Sequence, residues 1–181
     1  MKITVLTGSP HRDGTTALLA ERFIEGAQAA GHQAYRFDAA EKEVFPCLAC
    51  DQCGQGCEPC VFDDDMQELQ PYLLGADLVA FVTPLYYSGM SAQLKAVLDR
   101  FYGIDSKLKG SGKKSVLIAA CADEAGDNGW AMDELTAHYR GILQYLEWEN
   151  AGTVLATGCG DRAAASASDF PEKAWELGNS L

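Results

Sequence analysis

Basic charge is scarce in this chain of 181 residues: 14 Lys and Arg stand against 26 Asp and Glu, leaving a formal charge of −12. Nowhere do the basic residues cluster, which excludes nucleic acid and an anionic membrane surface as partners, since both need a concentrated positive patch. Long apolar runs are missing too. The opening MKITVLTGSP carries one Lys and a short apolar stretch, so it reads neither as a signal peptide nor as a membrane span. The expected location is the cytoplasm. Internal repeats and low-complexity linkers are absent as well; GSG at 110–112 marks only a turn. One domain over 1–181 is the expectation, and a chain of this length buries roughly 70% of its unfolded surface.

Two further absences concern the stretch TGSPHRDGTT, Thr7 to Thr16. It lacks the Lys of a P-loop and the third glycine of a GxGxxG fingerprint, so a nucleoside triphosphate or a dinucleotide is not its expected guest. It follows the apolar run KITVL and precedes TTALLAERFIEGAQAAG, where Leu18, Leu19, Phe23 and Ala27 recur at helical spacing. A strand, a loop and a helix are predicted. Such a junction gathers backbone N–H groups and the positive end of a helix around an anion. A monophosphate held by Ser9, Thr15 and Thr16, by amides, and by His11 or Arg12 suits it. A hydroxyl N-cap beside a glycine turn is the other reading.

Runs without polar alternation at Ile3–Leu6, Leu78–Val82, Val116–Ala120 and Val154–Ala156 predict strands covered on both faces, and Gln33–Phe37 predicts an edge strand. Helices are predicted over Asp65–Leu74, whose acidic start suits the helix dipole, and through SAQLKAVLDRFYG to Gly103. Two more follow, one on the stripe from Met132 to Leu146 and one in PEKAWELGNSL. Strand alternating with helix predicts an α/β fold with a parallel sheet and right-handed crossovers. Ligands then sit past the carboxyl ends of the strands, where the loops Gly8–Gly14, Pro84–Gly89 and Cys121–Gly129 should meet.

The second of these loops, in TPLYYSGMSAQLKAVLDRFY, sets Pro84, Tyr86, Tyr87 and Gly89 at a strand end, a turn with aromatic faces suited to a planar ring. Together with TGSPHRDGTT, the Cys-rich segment ending in DDDM and the segments YLEWENAG and EKAWELG, it resembles the flavodoxin-like NAD(P)H-dependent FMN reductase and quinone reductase superfamily. The likeness is to its iron–sulfur flavoprotein-like branch and spans nearly the whole chain. It implies a three-layer sandwich with strand order 2-1-3-4-5. It also implies a homodimer or homotetramer, FMN as cofactor, and NAD(P)H or ferredoxin as donor to a small-molecule acceptor.

By that resemblance Ser9, His11, Thr15 and Thr16, with Arg12, hold the FMN phosphate. Pro84, Leu85, Tyr86, Tyr87 and Ser88 line the ring, and the loop from Cys121 covers its other end. His11 and Thr15 depart from the family's usual GSPR and GNT. The electron chemistry belongs to the flavin, so no catalytic side chain is assigned.

Five of seven cysteines fall between Cys47 and Cys60, in an insert at about 45–62. That is too tight for a secreted disulfide framework, and long connections of this kind are usually functional. Cys47, Cys50 and Cys53 with Cys60 suit a [4Fe–4S] cluster, and the spacing resembles iron–sulfur flavoproteins, which would make the protein an electron carrier. Zinc on Cys47, Cys50, Cys57 and Cys60, a reactive dithiol, and a loop holding no metal are the alternatives. A non-catalytic phosphate- and zinc-binding module is the remaining reading.

Overall fold

The computed structural model describes residues 1–54, 60–124, 126 and 129–181. Five parallel strands form one sheet in the order β2-β1-β3-β4-β5: β1 Lys2–Thr7, β2 Gln33–Asp38, β3 Leu78–Pro84, β4 Lys114–Ala120 and β5 Glu149–Ala156. The three-layer flavodoxin-like arrangement with order 2-1-3-4-5 is therefore as expected. Residues 3–7 of β1 and all of β3 are buried but for half-buried Pro84, because helices cover both faces of the central strands.

One apolar layer packs Leu19, Phe23 and Ala27 of α1 (Thr15–Ala29) and Ala174 of α7 (Phe170–Asn179) against Ile3, Val5, Ala80 and Ile118. The other sets Leu69 and Leu73 of α2 (Met66–Gly75), Leu94 and Val97 of α3 (Ala92–Asp99), and Leu135, Tyr139 and Leu143 of α5 (Gly129–Leu146) on Leu6, Phe81 and Leu117. Glycine sets one spacing. A Cβ on Gly26 of α1 would strike the Trp175 carbonyl oxygen, and one on Gly178 of α7 would strike that of Phe23, so the two helices touch through their backbones.

Three elements differ from expectation. β5 starts five residues before Val154, with exposed Glu149 and Asn150 and a register shift at Ser115/Val116 opposite Gly152 (φ 146°); its polar beginning hides it from an apolar-run reading. The third predicted helix ends at Asp99 and continues as a 3₁₀ turn, Arg100–Ile104, followed by a short α4, Asp105–Leu108. The acidic run before α2 serves more than the helix start, where Asp64 Oδ1 accepts from Met66 N at 3.2 Å. Asp64 is buried against the Arg100 guanidinium, which also donates to the Phe45 carbonyl at 3.0 Å. One ion pair thereby ties together the two ends of the cysteine insert.

Candidate active site

Past the carboxyl ends of the strands, the sheet ladder runs one residue into each loop. Gly8 N donates to Val82 O at 2.9 Å, Leu85 N to Ala120 O at 2.8 Å and Cys121 N to Ala156 O at 2.9 Å. The first residue of each loop is thus fixed by the neighbouring strand. Ser91, fully buried at the start of α3, joins two of the loops. Its Oγ donates to Gly8 O at 2.7 Å and accepts from Leu94 N at 3.4 Å, while its N–H donates to Thr83 Oγ1 at 3.0 Å. Gly8 has to be glycine here, because a Cβ would collide with Ser91 Oγ and lie 2.6 Å from Leu94 Cβ.

These loops enclose a cleft of about 580 Å³ lined by Ser9–Thr16 without Pro10, by Pro84–Tyr86, by Ala120–Ala122 and by Cys159–Arg162. Its volume is that of a site for a cofactor-sized molecule. The expected residues Ser9, His11, Arg12, Thr15, Thr16, Pro84, Leu85, Tyr86 and Cys121 all meet there. Tyr87 and Ser88 do not line it. They form the tip of a hairpin closed by Tyr86 N to Gly89 O (3.1 Å) and Gly89 N to Tyr86 O (3.0 Å), with φ of 47° and 62°. Tyr87 is fully exposed. Two non-glycine residues in the left-handed region store roughly 1–3 kcal/mol each, a strain that collects at functional sites.

At the phosphate end, α1 begins at Thr15 after Gly14, without a side-chain cap, and Gly14, Thr15 and Thr16 line the cleft, so first-turn N–H groups that have no partner within the helix lie beside it. Ser9 Oγ accepts from His11 N at 3.1 Å, shaping the loop, and Thr15 Oγ1 donates to Cys159 O at 3.0 Å. Arg12 is turned outward, with its side chain 79% exposed and its Nε 2.8 Å from Glu41.

The fourth loop, Cys159–Arg162, escaped the sequence reading; the glycines of TGCGDR just past β5 were its signal. Arg162 opens a short helix, α6 (Arg162–Ser166), and its buried Nη1, 2.9 Å from Asp13 Oδ1, makes no hydrogen bond among the described residues. An uncapped helix start, an unsatisfied guanidinium donor and an aromatic wall fit a phosphate-tailed planar ligand, which FMN is. Cys121 is half-buried; burial first, then Asp123, pushes its thiol up from the ordinary value, so it presents a neutral wall at neutral pH.

Cys47, Cys50, Cys53 and Cys60 line one small hollow with Tyr102 and Phe62. Ala49, Asp51 and Gly54 adopt φ of 51°, 55° and 51°, which coils CLACDQCG into tight turns. The donor set is that of an iron–sulfur cluster. Among the described residues, however, no three His, Cys, Asp or Glu side chains converge on a metal-binding point. Cys57, needed for the zinc alternative, lies outside the described residues. Among those residues, no helix is long and apolar enough to cross a membrane.

Residues 1–160 match the model of the NADPH-dependent FMN reductase family. An iron–sulfur flavoprotein of Archaeoglobus fulgidus is 32% identical over 139 residues, covering 76% of this chain and 70% of that one. Another, from Methanocaldococcus jannaschii, is 33% identical over 100 residues, covering 55% and 51%. This chain thus spans about half to two thirds of the length of these relatives. Among solved structures, an NAD(P)H:quinone oxidoreductase from Methanothermobacter marburgensis superposes with a TM-score of 0.77 at 20% identity, over 99% of this chain and 94% of that one. That last likeness establishes the fold.

Proposed function

The chain belongs to the NADPH-dependent FMN reductase family, in the branch resembling iron–sulfur flavoproteins, and on that footing we propose an FMN-dependent oxidoreductase. It passes electrons from NADH or NADPH, or from reduced ferredoxin, to a quinone, a free flavin or another small acceptor. The cleft carries this reading: it combines an open helix start, an aromatic flank and the size of a flavin in one place. When bound, FMN supplies the hydride and electron chemistry itself.

The residues of the chain then hold and shield. Amides of the first loop and of α1, with the hydroxyls of Ser9 and Thr16, receive the phosphate, and Thr15 contributes its backbone N–H while its hydroxyl stays on Cys159 O. Pro84, Leu85 and Tyr86 wall one side of the ring, and Cys121 closes the other end. No side chain is needed to take or give a proton. The functional unit is a homodimer or homotetramer, a reading supported by exposed Tyr86, Tyr87 and Trp130 on the loop edge of the sheet. Residues 1–181 act as one flavin-binding unit carrying the insert.

Steady-state oxidation of NADH and NADPH with a quinone or free flavin tests the enzyme reading. Turnover supports it, and negligible turnover with flavin retained favours a carrier. The carrier would hold a [4Fe–4S] cluster on Cys47, Cys50, Cys53 and Cys60, which line one hollow. Anaerobic iron and sulfide analysis separates the cases: about four of each per chain establishes the cluster. A colourless protein containing zinc would instead favour the phosphate- and zinc-binding module.

A further inference from the structure

The cleft raises a problem of charge. An organic phosphate monoester brings about −1.5 to −2 charges at neutral pH into a protein whose formal charge is already −12. Two arginines line the cleft, and Arg12 is spent on Glu41 at the surface. Arg162 is placed differently. Its side chain is only 33% exposed, and its Nη2 donates to Glu21 Oε2 on α1 at 2.9 Å, which orients the guanidinium beside the helix start. The loop that carries it is bonded to the first turn of α1 through Thr15 Oγ1 and Cys159 O.

Nη1 lies 2.9 Å from Asp13 Oδ1, close enough for an ion pair, yet this buried nitrogen makes no hydrogen bond to it or to anything else described. Asp13 itself is 84% exposed on the phosphate loop. A guanidinium nitrogen that makes no hydrogen bond to an exposed carboxylate 2.9 Å away is an incomplete pairing, whereas a phosphate offers oxygens matched to the planar fork.

We propose that Arg162 is the cation that binds the phosphate of FMN, and that Asp13 competes with that phosphate for the same guanidinium. This deepens the FMN reading of the cleft and rests on it. Arg162 then sets the preference for a phosphorylated flavin over the bare one. Asp13 sets how firmly the cofactor is retained.

The test is a parallel titration of flavin-stripped full-length protein with FMN and with riboflavin, followed by flavin fluorescence, for wild type, Arg162→Gln and Asp13→Asn. Arg162→Gln should weaken FMN binding by roughly tenfold or more, the scale of a charge-assisted contact, while leaving riboflavin binding unchanged. Asp13→Asn should tighten FMN binding and leave riboflavin unchanged. Equal losses for both flavins, or no loss of FMN affinity, would show that Arg162 only braces α1 against α6 and would overturn the proposal. Should Arg162→Gln not fold, Asp13→Asn decides alone: unchanged or weaker FMN binding refutes the competition. Wild type that binds neither flavin would defeat the FMN reading itself, a result distinct from all of these.

Discussion

Ser91→Ala removes one oxygen from the buried joint between the phosphate loop and the ring-flanking loop. Ser91 Oγ caps α3 at Leu94 N, and loss of such a cap costs about 1 kcal/mol. The same oxygen donates to Gly8 O, and a buried acceptor left without its donor costs roughly 1–3 kcal/mol. The sum is roughly 2–4 kcal/mol. At about 2–4 °C per kcal/mol for a chain of this size, the melting midpoint should fall by roughly 4–16 °C. The assay is a thermal melt by circular dichroism at fixed protein concentration without added flavin, because a ligand would shift the midpoint by mass action. Ser180→Ala is the control: its exposed hydroxyl donates to Leu177 O at 3.1 Å, and its loss should stay within about 0.5 kcal/mol. FMN affinity should fall as well, since Gly8 no longer holds the loop in place before binding. A Ser91→Ala midpoint equal to that of Ser180→Ala would refute the joint.

Gly26→Ala gains up to about 1 kcal/mol of helix propensity but forces a methyl into the Trp175 backbone. Overpacking near the upper end of roughly 1–3 kcal/mol wins, so urea unfolding should show a net loss of about 2 kcal/mol. For Asp64, burial alone would raise the carboxyl, but Arg100 and the N–H groups of Phe45 and Met66 outweigh it and hold it below its ordinary value. A depressed carboxyl stabilises above its unfolded value of about 3.9, and that stability is lost as pH falls through the folded value. Acid unfolding monitored by fluorescence should therefore be shallower below pH ~4 in Asp64→Asn than in wild type. Arg100→Leu, which strands Asp64 in the interior, should cost about 3–5 kcal/mol at neutral pH in the same urea assay.

Much of this architecture was legible because parallel strands covered on both faces advertise themselves as unbroken apolar runs, and Ile3–Leu6, Leu78–Val82 and Val116–Ala120 did so. The phosphate loop was legible for a similar reason: Gly8 and Gly14 sit where backbone must come close. What escaped depended on contacts between distant segments. Asp64 reads as a partner for a helix start, which it is at Met66 N, but nothing local shows that Arg100, 36 residues further on, claims it as well. Arg162 lies 141 residues from Glu21, and nothing local marks it as facing the first loop. The likeness assigns Tyr87 and Ser88 to the ring, but they do not line the cleft, and the left-handed turn they form is a backbone property with no glycine at either position to signal it.

The central claim is that the four-loop cleft holds FMN and delivers nicotinamide electrons to it. Anaerobic mixing of the flavin-loaded protein with excess NADPH, and separately NADH, tests it most directly. The account predicts bleaching of the visible flavin absorbance by at least one of them, with one flavin per chain reduced by two electrons. Protein that holds FMN but keeps its colour under both nicotinamides would contradict it.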